Sequence, residues 1–143
     1  MTKKTPKIYC DTNIFIDYLF NQVNDRGRNV GKEAESVFAK VLMNQYLLVI
    51  SDFVIEEMRA NETINRYIDF ERIIANNIIY IKYTMEDKEK AKKLSSENWE
   101  DALHVVLAEK GGCKYLITQN IKDFYGLSKE VKVILPSLLP KFS

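Results

Sequence analysis

The chain has 143 residues, 46% of them hydrophobic and 29% charged, with a formal net charge of +1. That length fits one domain with a sizeable core, and the near-neutral balance excludes recruitment of nucleic acid by a strong global field. No run approaches the roughly 18 apolar residues of a membrane span, and the lysines of MTKKTPK lead into no signal-peptide core, so a cytoplasmic protein with no membrane contact is expected.

In chain order, KIYC reads as a buried strand, and DTNIFIDYLF opens an apolar-periodic helix directly after it. Residues 21–32, rich in Asn, Gly and charge, form a loop. GKEAESVFAKVLMNQ is a second helix, with Ala34, Val37, Phe38, Val41 and Leu42 at helical spacing. YLLVIS is a second strand, apolar on both faces as a central parallel strand is. SDFVIEEMRA and ETINRYIDFERIIANN follow as helices, and IIYIKY as a third strand. MEDKEKAKKLSS is a charged helix with a solvated face. ENWEDALHVVLAEKGG turns Trp99, Ala102, Leu103, Val106 and Leu107 to one side and ends at Gly111 and Gly112. KYLIT is a fourth strand, and VKVIL offers a fifth, stopped by Pro136. Cys10 and Cys113 lack metal-ligand spacing and read as reduced core thiols. Strands separated by helices predict an α/β fold: a three-layer α/β/α sandwich around a mainly parallel sheet of four or five strands, formed by residues 1–143 as a single domain.

In such a fold ligands bind beyond the carboxyl ends of the strands. Asp11 ends the first strand, while Asn120 and Asp123 follow the fourth. Asp101 lies in the first turn of the helix that feeds the fourth strand, so it reaches the same edge. Around SDFVIEEMRA, at about 100° per residue, the direction of Phe53, Val54, Ile55 and Met58 lies opposite Glu56, whereas Glu57 borders the apolar face. Glu57 is therefore the inward carboxylate and Glu56 the solvated one. Each acid alone has a plainer reading. Asp11 caps a helix, Asp101 completes a capping box begun by Asn98, Glu57 is a surface carboxylate and Asp123 a turn residue. Together, Asp11, Glu57, Asp101 and Asp123 repel one another unless a cation joins them, and hard oxygen ligands suit Mg²⁺ or Mn²⁺. Such an ion assists hydrolysis of a phosphodiester.

Four short motifs fall in order: the hydrophobic strand followed by DTN, the S-x-x-V-x-x-E of Ser51, Val54 and Glu57, EDAL at residues 100–103, and T-x-N-x-x-D-F from Thr118 to Phe124. In these the chain resembles the PIN-domain family over nearly its whole length. The resemblance implies an α/β/α nuclease that cuts RNA with Mg²⁺ or Mn²⁺, similar to the toxin component of bacterial toxin–antitoxin pairs. It leaves room for a cognate antitoxin and a homodimer. It makes Asp11, Glu57 and Asp101 the characteristic acidic ligands, Asn13 a hydrogen-bonding support of Asp11, and Thr118 a hydroxyl that helps place the metal or the fourth acid. The chain departs from the family where many members carry T-x-D. Asn120 stands there, offering a carbonyl oxygen without charge, and Asp123 is the candidate replacement.

Other features have local readings. His104 reads as a partly exposed helix residue. Trp99 is a core or interface aromatic. Arg26, Arg28 and Lys32 belong to a solvated loop, and the aromatics of INRYIDFERII form core or a groove for an antitoxin helix. Three activities follow. The first is metal-dependent endoribonuclease. The second is a catalytically reduced PIN-like domain that binds RNA or protein. The third is a phosphoacceptor domain built on Asp11, against which stands Asn13 where a second strand-end aspartate is usual.

Overall fold

The computed structural model describes residues 4–128 and 130–141. Among them, five strands form one sheet: β1 (Lys7–Cys10), β2 (Leu47–Ser51), β3 (Ile78–Ile81), β4 (Tyr115–Ile117) and β5 (Lys132–Ile134). All are parallel, in the order β3-β2-β1-β4-β5. The expected mainly parallel sheet is thus wholly parallel, and VKVIL supplies its fifth strand. β1, β2 and β4 are buried nearly end to end, as central parallel strands are.

The helices are α1 (Thr12–Leu19), α2 (Val30–Leu42), α3 (Asp52–Ala60), α4 (Ile64–Ile74), α5 (Met85–Leu94), α6 (Trp99–Lys110) and α7 (Ile121–Phe124). The chain runs outward from β1 to β2 to β3, then crosses back over β1 to β4. Right-handed crossovers place the helices of the two halves on opposite faces of the sheet. Accordingly α1, α2 and α4 pack on one another through Phe15, Tyr18, Phe38, Tyr67 and Phe70, while α5 packs on α6. Reversal of direction between β1 and β4 makes their carboxyl ends the switch point of the sheet, where α/β folds open a binding crevice.

Local details of capping and close packing complete the fold. Asp11 adopts an extended backbone conformation and caps α1, accepting from Ile14 N–H at 3.2 Å. Gly31 lets α2 approach α1, because a Cβ there would lie 2.8 Å from the Asp17 carbonyl oxygen. Asp123 lies inside α7, a four-residue helix, where the sequence suggests only a turn. The capping box expected at Asn98 and Asp101 is absent, since the Asn98 side chain makes no cap bond. A capping box does form at Thr84 and Asp87 of α5, where the hydroxyl and the carboxylate exchange bonds with backbone amides.

Candidate metal centre

Asp11 is 4% exposed and anchored at both oxygens. Oδ1 accepts from Ile14 N–H, and Oδ2 accepts from the Thr118 hydroxyl at 2.6 Å. The backbone N–H of Asp11 donates to Ile117 O at 3.1 Å, so β1 and β4 lock the two residues side by side. Thr118 Oγ also accepts from Asn120 N–H at 3.0 Å, which leaves its hydrogen for Asp11. Burial pushes the Asp11 carboxyl above its ordinary range and Glu57 adds to that, while Thr118, His104 and Ile14 oppose it.

Glu57 is part-buried at the site and Glu56 is exposed, bonded to Tyr83, as the helix geometry predicts. One oxygen of Glu57, Oε1, accepts from the Thr12 hydroxyl at 2.5 Å and pairs with His104 Nε2 at 2.8 Å. Burial raises this carboxyl, but the contact with His104 and the Thr12 hydroxyl outweigh it and hold the group below its ordinary value.

Asp101 stands in the opposite condition. Its carboxylate makes no hydrogen bond or ion pair among the described residues, and burial lifts its pKa to about 6; His104 opposes, and Asp123, Asp11 and Glu100 push upward. Asp123 is exposed, on the rim of a depression of about 410 Å³ with Asn120 and Lys122. The four acids therefore share one electrostatic neighbourhood. They do not form a closed cage: among the described residues no three His, Cys, Asp or Glu side chains are drawn together as ready ligands. Crowding alone does not demand a cation at Glu57, because that carboxylate already has two hydrogen-bond partners in the protein. An open set of two or three carboxylates still fits Mg²⁺, which keeps several waters and takes few protein ligands. Unpartnered Asp101 is the observation behind that fit.

Several supporting residues differ from expectation. Asn13 is exposed and makes no bond to Asp11; that part falls to Thr118 and the backbone of α1. Asn120 is exposed at the start of α7 without a side-chain cap bond. His104 is not partly exposed but 3% exposed, because its ring fills the space between Tyr9 and Phe53. Arg28 is not free in the loop, since it pairs with Glu33 and reaches Gln119. Tyr9, which no motif marks, and Thr12 and Ser51, which lie in two of the motifs but were given no role there, join the site through hydroxyl bonds. Asp17 is linked to the site only electrostatically: it is 9% exposed and lifted to about 6 by burial and by repulsion from Asp11 and Glu33. Thr12 sits beside Asp11 in DTN and was in principle visible. Tyr9 and His104 lie 95 positions apart, and nothing local links them.

The two cysteines are free and buried, and no helix among the described residues is long and apolar enough to cross a membrane. No curated protein matches the chain. The PIN-domain family model matches residues 8–129, a span running from β1 past α7 that takes in every carboxylate described above. Wholly parallel sheet, switch-point acids and family match agree: the chain belongs to the PIN-domain family, whose members are typically metal-dependent nucleases.

Proposed function

We propose that this protein is an endoribonuclease that hydrolyses RNA phosphodiester bonds with Mg²⁺ or Mn²⁺. The observation that carries the reading is Asp101: a half-buried carboxylate, without a protein partner, lifted to about 6 beside Asp11 and Asp123. A fold tolerates such a group where a cation will share it.

Asp11 and Asp101 would hold the ion, with Glu57 and Asp123 as the further carboxylates. When bound, the ion supplies positive charge that steadies the phosphate's developing negative charge and eases deprotonation of the attacking water. The chain's own part is placement. Thr118 and Ile14 N–H fix the Asp11 carboxylate, Thr12 fixes Glu57, and Thr118 also holds the Asn120 backbone at the start of α7. Asn120 offers a neutral carbonyl where a charged oxygen is common in relatives.

The experiment is incubation of defined single-stranded RNAs with the protein plus Mg²⁺, Mn²⁺ or chelator, with Asp101→Asn alongside. Cleavage that needs the divalent ion and disappears in the variant supports the reading; cleavage that survives in Asp101→Asn overturns it. Asn120 and the internally satisfied Glu57 favour a second reading, a catalytically reduced module that binds RNA or protein. Absence of any rise in melting temperature with millimolar Mn²⁺ would favour it.

A toxin role and an antitoxin partner extend the first reading. In their support, α1, α2 and α4 frame a groove of about 500 Å³ with Tyr18, Leu19, Phe70 and Ile73 at its walls and Lys32, Glu35, Arg66 and Asp69 around them. That suits an amphipathic helix with charges of both signs. A cytoplasmic location accords with the free buried thiols.

A further inference from the structure

We infer that His104 is the positioning residue of Glu57: a buried chain of hydrogen bonds, Ser51–Tyr9–His104–Glu57, pins carboxylate oxygen Oε1 and leaves Oε2 to face the cation. This rests on the metal-dependent reading above and goes beyond it, since His104 itself touches neither ion nor RNA.

The proton of each link is dictated by its neighbour. Val54 N–H donates to Ser51 Oγ at 3.2 Å, and with the Tyr9 hydrogen directed at His104 the 2.8 Å contact to the Tyr9 hydroxyl oxygen takes the Ser51 hydrogen. Tyr9 then donates its own hydrogen to His104 Nδ1 at 2.8 Å. A neutral imidazole that accepts at Nδ1 carries its hydrogen on Nε2, which lies 2.8 Å from Glu57 Oε1. Every donor in the chain then meets an acceptor. The opposite tautomer would set a bare Nε2 lone pair against a carboxylate and a ring N–H against a phenol that must turn its hydrogen elsewhere.

The links are held by elements that do not share a helix or strand. Tyr9 belongs to β1 and Ser51 to the end of β2, both wholly buried. His104 belongs to α6, and its ring is packed 5.0 Å from Phe53 and 5.6 Å from Tyr9, so it cannot turn over without displacing core. Thr12 adds its hydroxyl to the same Oε1, whereas Oε2 accepts no hydrogen bond among the described residues. Both donors choose one oxygen, which fixes the carboxylate plane and directs the other oxygen. Outer partners of this kind typically contribute about 10–100-fold to metal affinity or activity.

His104 is the only histidine, so a long-range proton–nitrogen correlation spectrum of the ¹⁵N-labelled wild-type protein reports one ring. The expected signature is a hydrogen on Nε2 with Nδ1 as the accepting nitrogen; a bare Nε2 would overturn the inference. Mn²⁺ affinity, read from the spin resonance of free Mn²⁺, provides the second measurement. His104→Leu is expected to weaken Mn²⁺ by about 10–100-fold and to lower kcat with little change in KM for RNA. His104→Gln, whose amide can donate from the Nε2 position, is expected to recover most of both. Equal behaviour of the Leu and Gln variants, or wild-type affinity in His104→Leu, would sink the inference while leaving the nuclease reading intact. Failure of the wild-type protein to bind Mn²⁺ at all would bring down both. Tyr9→Phe keeps the core ring and removes only the hydroxyl, which guards against a folding defect in the Leu variant. It is expected to lose the single tautomer and part of the Mn²⁺ affinity, and its retention of both would count against the chain.

Discussion

Glu57 and Asp101 arrive at the same edge of the sheet in opposite electrical conditions. Glu57 enters from α3 and finds two donors, from Thr12 and His104, and its carboxyl falls below its ordinary pKa. Asp101 enters from α6, finds none, and rises to about 6. The chain thus builds one carboxylate that is settled by protein partners and one that is not. The settled acid contributes geometry. The unsettled one holds free energy that a cation can release, which is the usual trade between stability and activity at a functional site.

The sharpest way to break this comparison is Asp101→Asn. With Asp101 holding the ion as proposed, its removal is expected to lower RNA cleavage by roughly 10³-fold, equivalent to about 4 kcal/mol of transition-state stabilisation. The same variant should melt at a higher temperature than wild type at pH 7 without divalent ions. A lower melting temperature would show that Asp101 has a stabilising partner after all.

Next in size is Thr118→Val, which keeps the volume and removes the donor to Asp11. Thr118 is wholly buried, so Asp11 Oδ2 would lose its partner in a dry place at a cost of about 2 kcal/mol. Urea unfolding of the two proteins measures it, and an unchanged midpoint would mean that Asp11 relaxes toward water.

The pH dependence follows from the raised acids. Asp17 and Asp101 both sit near 6 when folded and at the usual lower value when unfolded. Between those values the folded chain binds more protons, so these two groups make stability fall as pH rises through that window. Asp17→Asn should remove part of this slope and stabilise the protein by about 1 kcal/mol at pH 7, after discounting for screening, with no gain below about pH 4. Melting temperatures of both proteins from pH 4 to 7.5 test the sign; parallel curves would refute it.

The smallest effect is expected at Asn13. An exposed side chain without a bond to Asp11 should tolerate Asn13→Ala within about 0.5 kcal/mol. A large loss of cleavage with unchanged stability would instead give Asn13 a role toward RNA, and would shift weight from the rigid Thr118 side of Asp11 to its exposed flank.

Much of the scaffold was legible in the residues. The strands, the long helices and the Gly111–Gly112 stop depend on short-range patterns, which a parallel sheet with buried central strands imposes directly. The inward turn of Glu57 followed from helix periodicity alone. Less legible were the short α7 and the missing cap bond at Asn98, since a four-residue helix has no period to detect and a cap depends on one rotamer. His104 is buried where a partly exposed residue is expected because α6 is buried on all sides from Ala102 to Ala108, so the apolar face expected at Ala102, Leu103, Val106 and Leu107 does not separate it from solvent.

By itself the sequence determined the order of elements and delivered Asp11, Glu57, Asp101 and Asp123 to one end of the sheet, because chain direction and crossover handedness leave little choice. Only the tertiary structure decided which acid is satisfied and which stands alone. That depends on partners such as Thr118 for Asp11 and His104 for Glu57, contacts made across 107 and 47 positions of sequence. Such pairings arise from packing, and packing selects a partner by its position in space, which no local pattern along the chain encodes.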